Sequence, residues 1–258
     1  MTLKYNIKYF FIFAVLLTLF TTAVVKAEEF EAILGWSKRV ELSSPVNGVV
    51  HKVFAEPGKI VAKGEVLVQL DPRIFKADLK YAKAKLKNTN EHSLETKREL
   101  DRQLDMYDRS MLSEHDLQVA KNNFSSAQAL YQQAQASLTK AKLNLEYSAI
   151  RAPFNAVVIN LVAIKGQIVA AEVAPPTLVI VAEAQRMLAR FYAATDKVNS
   201  FVINQGVEVN VAGKSYQGRI FNIALEPDTL KHGHYAVDVI FDLNDKILRA
   251  GQKATIDL

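Results

Sequence analysis

Apolar and polar positions change rhythm as this chain is read from end to end. From about residue 30 to 71 the apolar residues gather in short runs, Val66-Leu67-Val68-Gln69-Leu70 among them, separated by Pro57-Gly58 and Lys63-Gly64. Short apolar runs bounded by glycine and proline read as strands. The rhythm then changes: Arg73 to Tyr147 contains neither glycine nor proline, and apolar residues return every seven positions. Leu117, Phe124, Tyr131, Leu138 and Leu145 form one series, and three residues after each come Ala120, Ala127, Ala134, Ala141 and Ser148. Large side chains alternating with small ones along one seam suit two helices packed at close range. Upstream, Leu79, Leu86, Ser93, Leu100 and Tyr107 keep the same step with a polar centre.

The break between the helices falls at Ser110–Ser113. Met111-Leu112 is long enough only for a tight connection, and Ser113-Glu114-His115-Asp116 has the form of a helix start. Asp71-Pro72 offers the first helix a cap and a proline at its first position. The pattern predicts an antiparallel coiled-coil hairpin, with arms of about 37 residues and roughly 55 Å. From Arg186 to Leu258 the period falls to two: Val207, Val209 and Val211, then Val237, Val239 and Phe241, then Ala254, Ile256 and Leu258 alternate with polar residues. Glycines punctuate these runs, and Thr195 to Phe201 reads as one short helix capped by Thr195 or Asp196. A small closed barrel would leave such strands no open edge.

The β segments on either side of the helices are related. Pro45-Val46-Asn47-Gly48-Val49-Val50 recurs 108 positions later as Pro153-Phe154-Asn155-Ala156-Val157-Val158, and at the same offset Gly58, Ile60 and Val61 meet Gly166, Ile168 and Val169. Half a β unit cannot bury a core by itself, so the halves are predicted to pair. The helical segment must then leave and return at one place.

Charge changes this picture only through the first residues. Lys4 and Lys8 precede an apolar run from Tyr9 to Val25 that ends in Val25-Lys26-Ala27, the layout of an export signal or of a retained anchor. Three of the chain's 32 basic residues lie in 1–27 and none of its 27 acidic ones, so the remainder is close to neutral and nucleic acid is not an expected partner. The absence of cysteine excludes disulfides and thiolate metal sites. His232-Gly233-His234 and the methionines Met106, Met111 and Met187 gather no third ligand, and no metal site is assigned. No nucleophile elbow, phosphate loop or paired-carboxylate signature is present, so no enzyme is expected.

The order of signal, half unit, helical hairpin, half unit and barrel resembles the periplasmic adaptor, or membrane fusion, proteins of tripartite efflux pumps of the resistance-nodulation-division (RND) type, including haemolysin-secretion-like adaptors. Its specific parts are Ser44–Val50 with Pro57–Gly64, Ile150–Val157, and Leu248-Arg249-Ala250-Gly251-Gln252, where alanine replaces the usual proline of the turn closing the barrel. The resemblance implies an elongated α+β fold: an antiparallel coiled-coil hairpin inserted into a split lipoyl-like β-sandwich, followed by a small β-barrel. The expected division is a signal peptide or anchor in 1–27, an N-terminal strand segment in 28–42, lipoyl-like halves in 43–71 and 148–183, the hairpin in 72–147 and the barrel in 184–258.

Many adaptors carry the pattern R-x3-L-x6-S where the hairpin tip meets the outer-membrane duct; here those positions hold Arg102, Met106 and Ser113, with Met in place of Leu. A coiled coil replaces the hairpin that bears the carrier lysine in lipoyl domains, so no cofactor is expected. The implied partners are an inner-membrane transporter, RND type favoured, an outer-membrane channel, and further copies of the chain in a ring, trimer or hexamer. RND-type members often continue into a membrane-proximal domain; this sequence stops on a barrel strand, as a short form or with part of that domain missing, and transporter contact is then expected on the barrel and lipoyl-like units. An adaptor of an ATP-driven exporter or type I secretion system has the same expected fold. A periplasmic small-molecule or metal-binding module and a purely structural coiled coil are readings of other classes.

Overall fold

The structure, a computed structural model, describes residues 29–171, 175–229, 231, 233–243 and 247–258. The expected leader and His232 lie outside the described residues. The chain divides into two compact units, one built on Trp36–Met187 and one on Leu188–Asp242 and Leu248–Leu258 with the strand that precedes Trp36.

The first unit is a sandwich of two four-stranded sheets. Before the hairpin come β2 (Arg39–Leu42), β3 (Gly48–Val53), β4 (Ile60–Val61) and β5 (Val66–Leu70); after it come β6 (Ala149–Arg151), β7 (Ala156–Leu161), β8 (Ile168–Val169) and β9 (Val179–Glu183). The sheet orders are β2-β9-β7-β4 and β6-β5-β3-β8, so each sheet takes two strands from each half.

The sequence repeat is reproduced bond for bond. Gly48 pairs with Val169 and Val49 with Ile168; Ala156 pairs with Val61 and Val157 with Ile60, the same contacts with the halves exchanged. The Gly58 amide donates to the Val158 carbonyl at 2.8 Å and the Gly166 amide to that of Val50 at 2.8 Å. Both glycines lie at positive φ, 85° and 87°, a conformation that costs other residues about 1–2 kcal/mol. Asn155 Oδ1 accepts from the Lys63 amide at 2.9 Å, and Asn47 Oδ1 from the Ala171 amide at 2.7 Å. Each half therefore ties down the turn of the other. Beneath these clasps Val50, Leu67, Leu70, Val158, Val169, Leu178 and Val181 are buried in one core drawn from both halves. Each such side chain contributes about 1.5–3 kcal/mol of burial that neither half could realise alone.

The hairpin grows from this sandwich because β5 and β6 are neighbours. Val66 pairs with Arg151, Val68 with Ile150 and Gln69 with Ala149. The Gln69 side-chain amide donates to the carbonyl and hydroxyl of buried Ser148, at 3.0 and 3.2 Å, stitching the last strand residues to the cap of the returning helix. Helix α1 (Pro72–Asp108) is capped by Asp71, which accepts from the Arg73 amide. That carboxyl is held down to about 2, first by the Arg73 side chain and then by its amide. Helix α2 (Glu114–Tyr147) runs back from the turn. Phe75 of α1 joins the sandwich core, and Leu145 of α2 packs against it, so the root of the hairpin is fixed.

Between the helices the buried seam of α1 is not the leucine series. Phe75, Ala82 and Thr89 are buried, Thr96 and Gln103 continue the step half-buried, and Tyr107 of the expected series is 40% exposed. On α2 the buried residues are Leu117, Ala120, Ala127, Ala134 and Ala141. Alanines bring the backbones so close that small positions of the partner helix occupy the inside, and the leucines flank them. Thr89 is accommodated there because its hydroxyl donates to the carbonyls of Lys85 and Leu86, at 3.0 and 3.1 Å.

The second unit is a closed barrel of β1 (Glu29–Trp36), β10 (Arg186–Ala194), β13 (His234–Asp242), β12 (Lys214–Ile223), β11 (Gly206–Val211) and β14 (Lys253–Asp257), in that order around the ring. The N-terminal strand, expected as a separate segment, supplies one stave: Phe30 faces Ile256 and Ala32 faces Ala254. Without β1, strands β10 and β14 would both be open edges. Phe30, Phe191 and Phe201 cluster with ring centroids 4.9 to 5.8 Å apart. In the 248–252 turn Gly251 has φ 89°, and its amide donates to the Leu34 carbonyl at 2.8 Å. Helix α3 (Thr195–Val198) is shorter than expected and has Ala194 at its cap position with no side-chain cap. The Thr195 hydroxyl is engaged instead by the Gly233 carbonyl, at 3.1 Å.

The reciprocity of the clasps makes a quantitative prediction. Asn47→Ala and Asn155→Ala should each destabilise the sandwich by at least about 1 kcal/mol, since each loses a hydrogen bond to the turn of the other half. Urea unfolding should show comparable losses for both; a large effect at one site and none at the other would contradict the exchange symmetry.

Candidate functional site

The outer end of the hairpin is built by two different cap devices back to back. Helix α1 stops at Asp108, and Ser110 turns to φ 60°. The Met111 amide then donates to the Met106 carbonyl at 2.9 Å and the Ser110 amide to that of Tyr107 at 2.8 Å. These are the paired bonds of a Schellman ending, with serine where glycine is usual. Helix α2 starts at once. The Ser113 hydroxyl oxygen accepts from the Asp116 amide at 3.2 Å and its proton goes to the Asp116 carboxylate at 2.6 Å. Glu114 and Asp116 occupy the first turn, where the positive helix end favours them.

The three residues singled out from the sequence fall into this frame with different degrees of freedom. Arg102 and Met106 lie four apart and share a face of α1. The Arg102 side chain is 61% exposed and pairs with Glu99, with Glu95 at 3.9 Å. Exposed ion pairs of this kind add little to stability, so the guanidinium is available to a partner. Met106 is partly exposed and its backbone closes the Schellman ending. Ser113 is exposed but its hydroxyl is committed to capping. The structure therefore brings Arg102 and Met106 to one face and gives Ser113 a local structural task.

Sequence reasoning missed two features of the tip. One is Ser110, whose left-handed backbone no motif announced. The other is Gln103, whose Nε2 donates to Glu99 at 2.7 Å while its Oε1 is buried without a partner. The seven-residue step from Phe75 through Thr89 and Thr96 to Gln103 was the available signal. Gln103 helps line a groove of about 360 Å³ together with Thr96, Glu99, Leu112 and Asp116. The Gln103 amide and then the Arg102 guanidinium hold the Glu99 carboxyl below the usual carboxylate range, and Glu99 in turn raises Arg102. Of the other residues considered, Met187 is fully buried and Met111 is exposed beside the turn. Among the described residues no group of three or more His, Cys, Asp or Glu side chains is arranged to hold a metal ion.

Comparison with known proteins agrees with this architecture. A family model described as CzcB-like, barrel-sandwich hybrid domain matches residues 38–179. The macrolide export protein MacA of Yersinia pestis is 24% identical over 241 residues, covering 86% of this chain and 64% of that protein. The multidrug resistance protein MexA of Pseudomonas aeruginosa is 30% identical over 115 residues, 45% of this chain and 26% of its own length. The chain thus spans less than two thirds of either relative. Among solved structures, a MacA-MexA chimera carrying the Pseudomonas aeruginosa MexA α-hairpin domain superimposes with a TM-score of 0.67 at 22% identity, covering 90% of this chain and 81% of that one. The membrane fusion protein Spr0693 from Streptococcus pneumoniae R6 does so with 0.68 at 13% identity, covering 89% and 97%.

Ser110 gives the tip a direct test. Ser110→Gly removes the left-handed penalty and should stabilise the α1 ending by about 1 kcal/mol, whereas Ser110→Val should weaken it by more. Hydrogen exchange at the Met111 amide is the readout: protection should rise for glycine and fall for valine, and no difference between them would refute the assignment.

Proposed function

The chain belongs to the periplasmic adaptor, or membrane fusion protein, family of efflux pumps, and from that premise we propose that it bridges an inner-membrane transporter and an outer-membrane exit duct for export of small molecules. Members of this family are non-enzymatic linkers. The observation that carries the reading is the pairing of β5 with β6 at the hairpin root. It holds two long helices at one site of a stable sandwich, which is a way to present a distant tip. The work is mechanical: the β units dock on the transporter in the periplasm, several copies associate around the exit path, and the tips engage the duct.

At the tip, Arg102 reaches carbonyls or carboxylates at helix ends of the duct, Met106 packs against its apolar surface, and Ser113 contributes the exposed turn that it caps. Methionine at 106 makes that apolar contact adaptable. The transporter is proposed to be of the RND type, as the sequence resemblance implies. An ATP-driven exporter is the second reading: relatives named for macrolide export and for multidrug resistance both align, and the hairpin with its paired halves serves either transporter.

Photo-cross-linking in intact cells tests this. A cross-linker at Met106 should capture an outer-membrane channel, and one on the barrel should capture an RND transporter; an ATPase-coupled exporter at the barrel would move the assignment to the second reading. Arg102→Glu should abolish both the tip cross-link and efflux with helical content unchanged. Retained efflux in that variant would remove Arg102 from the contact.

A further inference from the structure

The barrel carries a cavity that the adaptor reading does not use. It measures about 400 Å³ and lies wholly within the second unit, bounded by residues of β1, β10 and β14, by Asn210 of β11 with Ala212 and Gly213 after it, and by Lys231. That volume falls in the range of small-molecule sites. Its lining includes three cations, Arg190, Lys231 and Lys253, one carboxylate, Glu31, the ring of Tyr192, and Ile33.

The charges are not equivalent. Arg190 donates through Nε and one terminal nitrogen to Asp238, at 2.6 and 3.1 Å, and Asp238 is 4% exposed. Asn222 completes that carboxylate at 3.2 Å. Arg190 is thus both neutralised and fixed in position, a rigid wall with donors left over. The Lys231 ammonium stands 4.2 Å from the centroid of the Tyr192 ring. Its backbone is anchored as well, the Lys231 amide donating to Asp228 at 3.0 Å and its carbonyl accepting from the His234 amide at 3.0 Å. Among the described residues neither Lys231 nor Lys253 has a carboxylate within ion-pair distance, and Glu31 has no cation within it. Lys231 and Lys253 thus present two ammonium groups that no carboxylate contacts, while Glu31 lines the cavity and Asp228, held by the Lys231 amide, acts electrostatically on Arg190. Ile33 is 56% exposed, an apolar residue set among these charges.

We propose that this face of the barrel binds a small amphipathic monoanion, an aliphatic or aromatic carboxylate, with its charge at Lys231 and Lys253 and its apolar body over Ile33 and Tyr192. A polyphosphate carries more charge than the cavity can match and has nothing to cover Ile33. A neutral apolar molecule leaves the two ammonium groups without a counter-ion. This site is independent of the adaptor reading and of the hairpin.

The test is titration of the full chain with octanoate, followed by nuclear magnetic resonance of the Ile33 methyl groups and of backbone amides. Saturable shifts confined to the cavity are expected, weakened at least tenfold in Lys253→Glu and several-fold in Lys231→Ala. Arg219→Glu makes the same charge change as Lys253→Glu on β12, across the barrel from β1, and should leave the affinity unchanged. Should Lys253→Glu alter the spectrum of the free protein, Lys253→Gln carries the same readout with a several-fold loss. Octanol or inorganic phosphate binding as tightly as octanoate would overturn the proposal, because apolar contact or charge alone would then suffice. Absence of saturable shifts, or an equal loss in Arg219→Glu, would overturn it too.

Discussion

Two β segments that cannot each bury a core are forced to complete one another, and the rest of the first unit follows from that constraint. The halves exchange equivalent bonds, Gly58 to Val158 and Gly166 to Val50, Asn155 to Lys63 and Asn47 to Ala171. Because the exchange is reciprocal, the ends of the intervening helices come together at β5 and β6 whatever the helices do farther out. Neither half has a stable fold to fall back on, so the contact is obligatory and not an optional docking.

That geometry separates two tasks that a single globular core would mix. The sandwich supplies stability through the burial of Leu67, Leu70, Val158 and their neighbours. The hairpin needs only enough packing to stay paired, which the alanine seam of α2 provides. Along α1 the inside positions run from Phe75 through Ala82 to Thr89, Thr96 and Gln103, growing more polar toward the tip. The part fixed by the core is thus the root, and the outer end is the part left with exposed charge and an unpaired carbonyl. The outer end of the hairpin is in this way held in place without a large core of its own.

Much of this was legible in the sequence because it rests on local signals. The gap free of glycine and proline gave the hairpin, Asp71-Pro72 and Ser113 marked its helix starts, and the duplicated Pro-Val-Asn and Pro-Phe-Asn stretches exposed the split. What stayed hidden depends on partners distant in sequence. Strand β1 reads as any amphipathic strand, and only pairing with β14 at the far end of the chain makes it a barrel stave. The leucine series of α1 is conspicuous, yet close backbones put Ala82 and Thr89 inside instead. Thr195 is a good cap by type but finds the Gly233 carbonyl, a bond between residues 38 apart. At the tip the pattern of Arg102, Met106 and Ser113 was visible, whereas the left-handed turn at Ser110 and the buried Gln103 carbonyl were not, since neither residue type announces its environment.

The most direct measurement removes residues 73–147 and joins Pro72 to Ser148 through a short turn, a span that the 2.8 Å bond between the Leu70 amide and the Ser148 carbonyl shows to be small. Amide spectra of the shortened chain should keep the dispersed shifts of a β-sandwich, with Gly58 and Gly166 still protected from exchange. A collapsed spectrum without those protected amides would mean that the helices hold the halves together, and not the halves the helices.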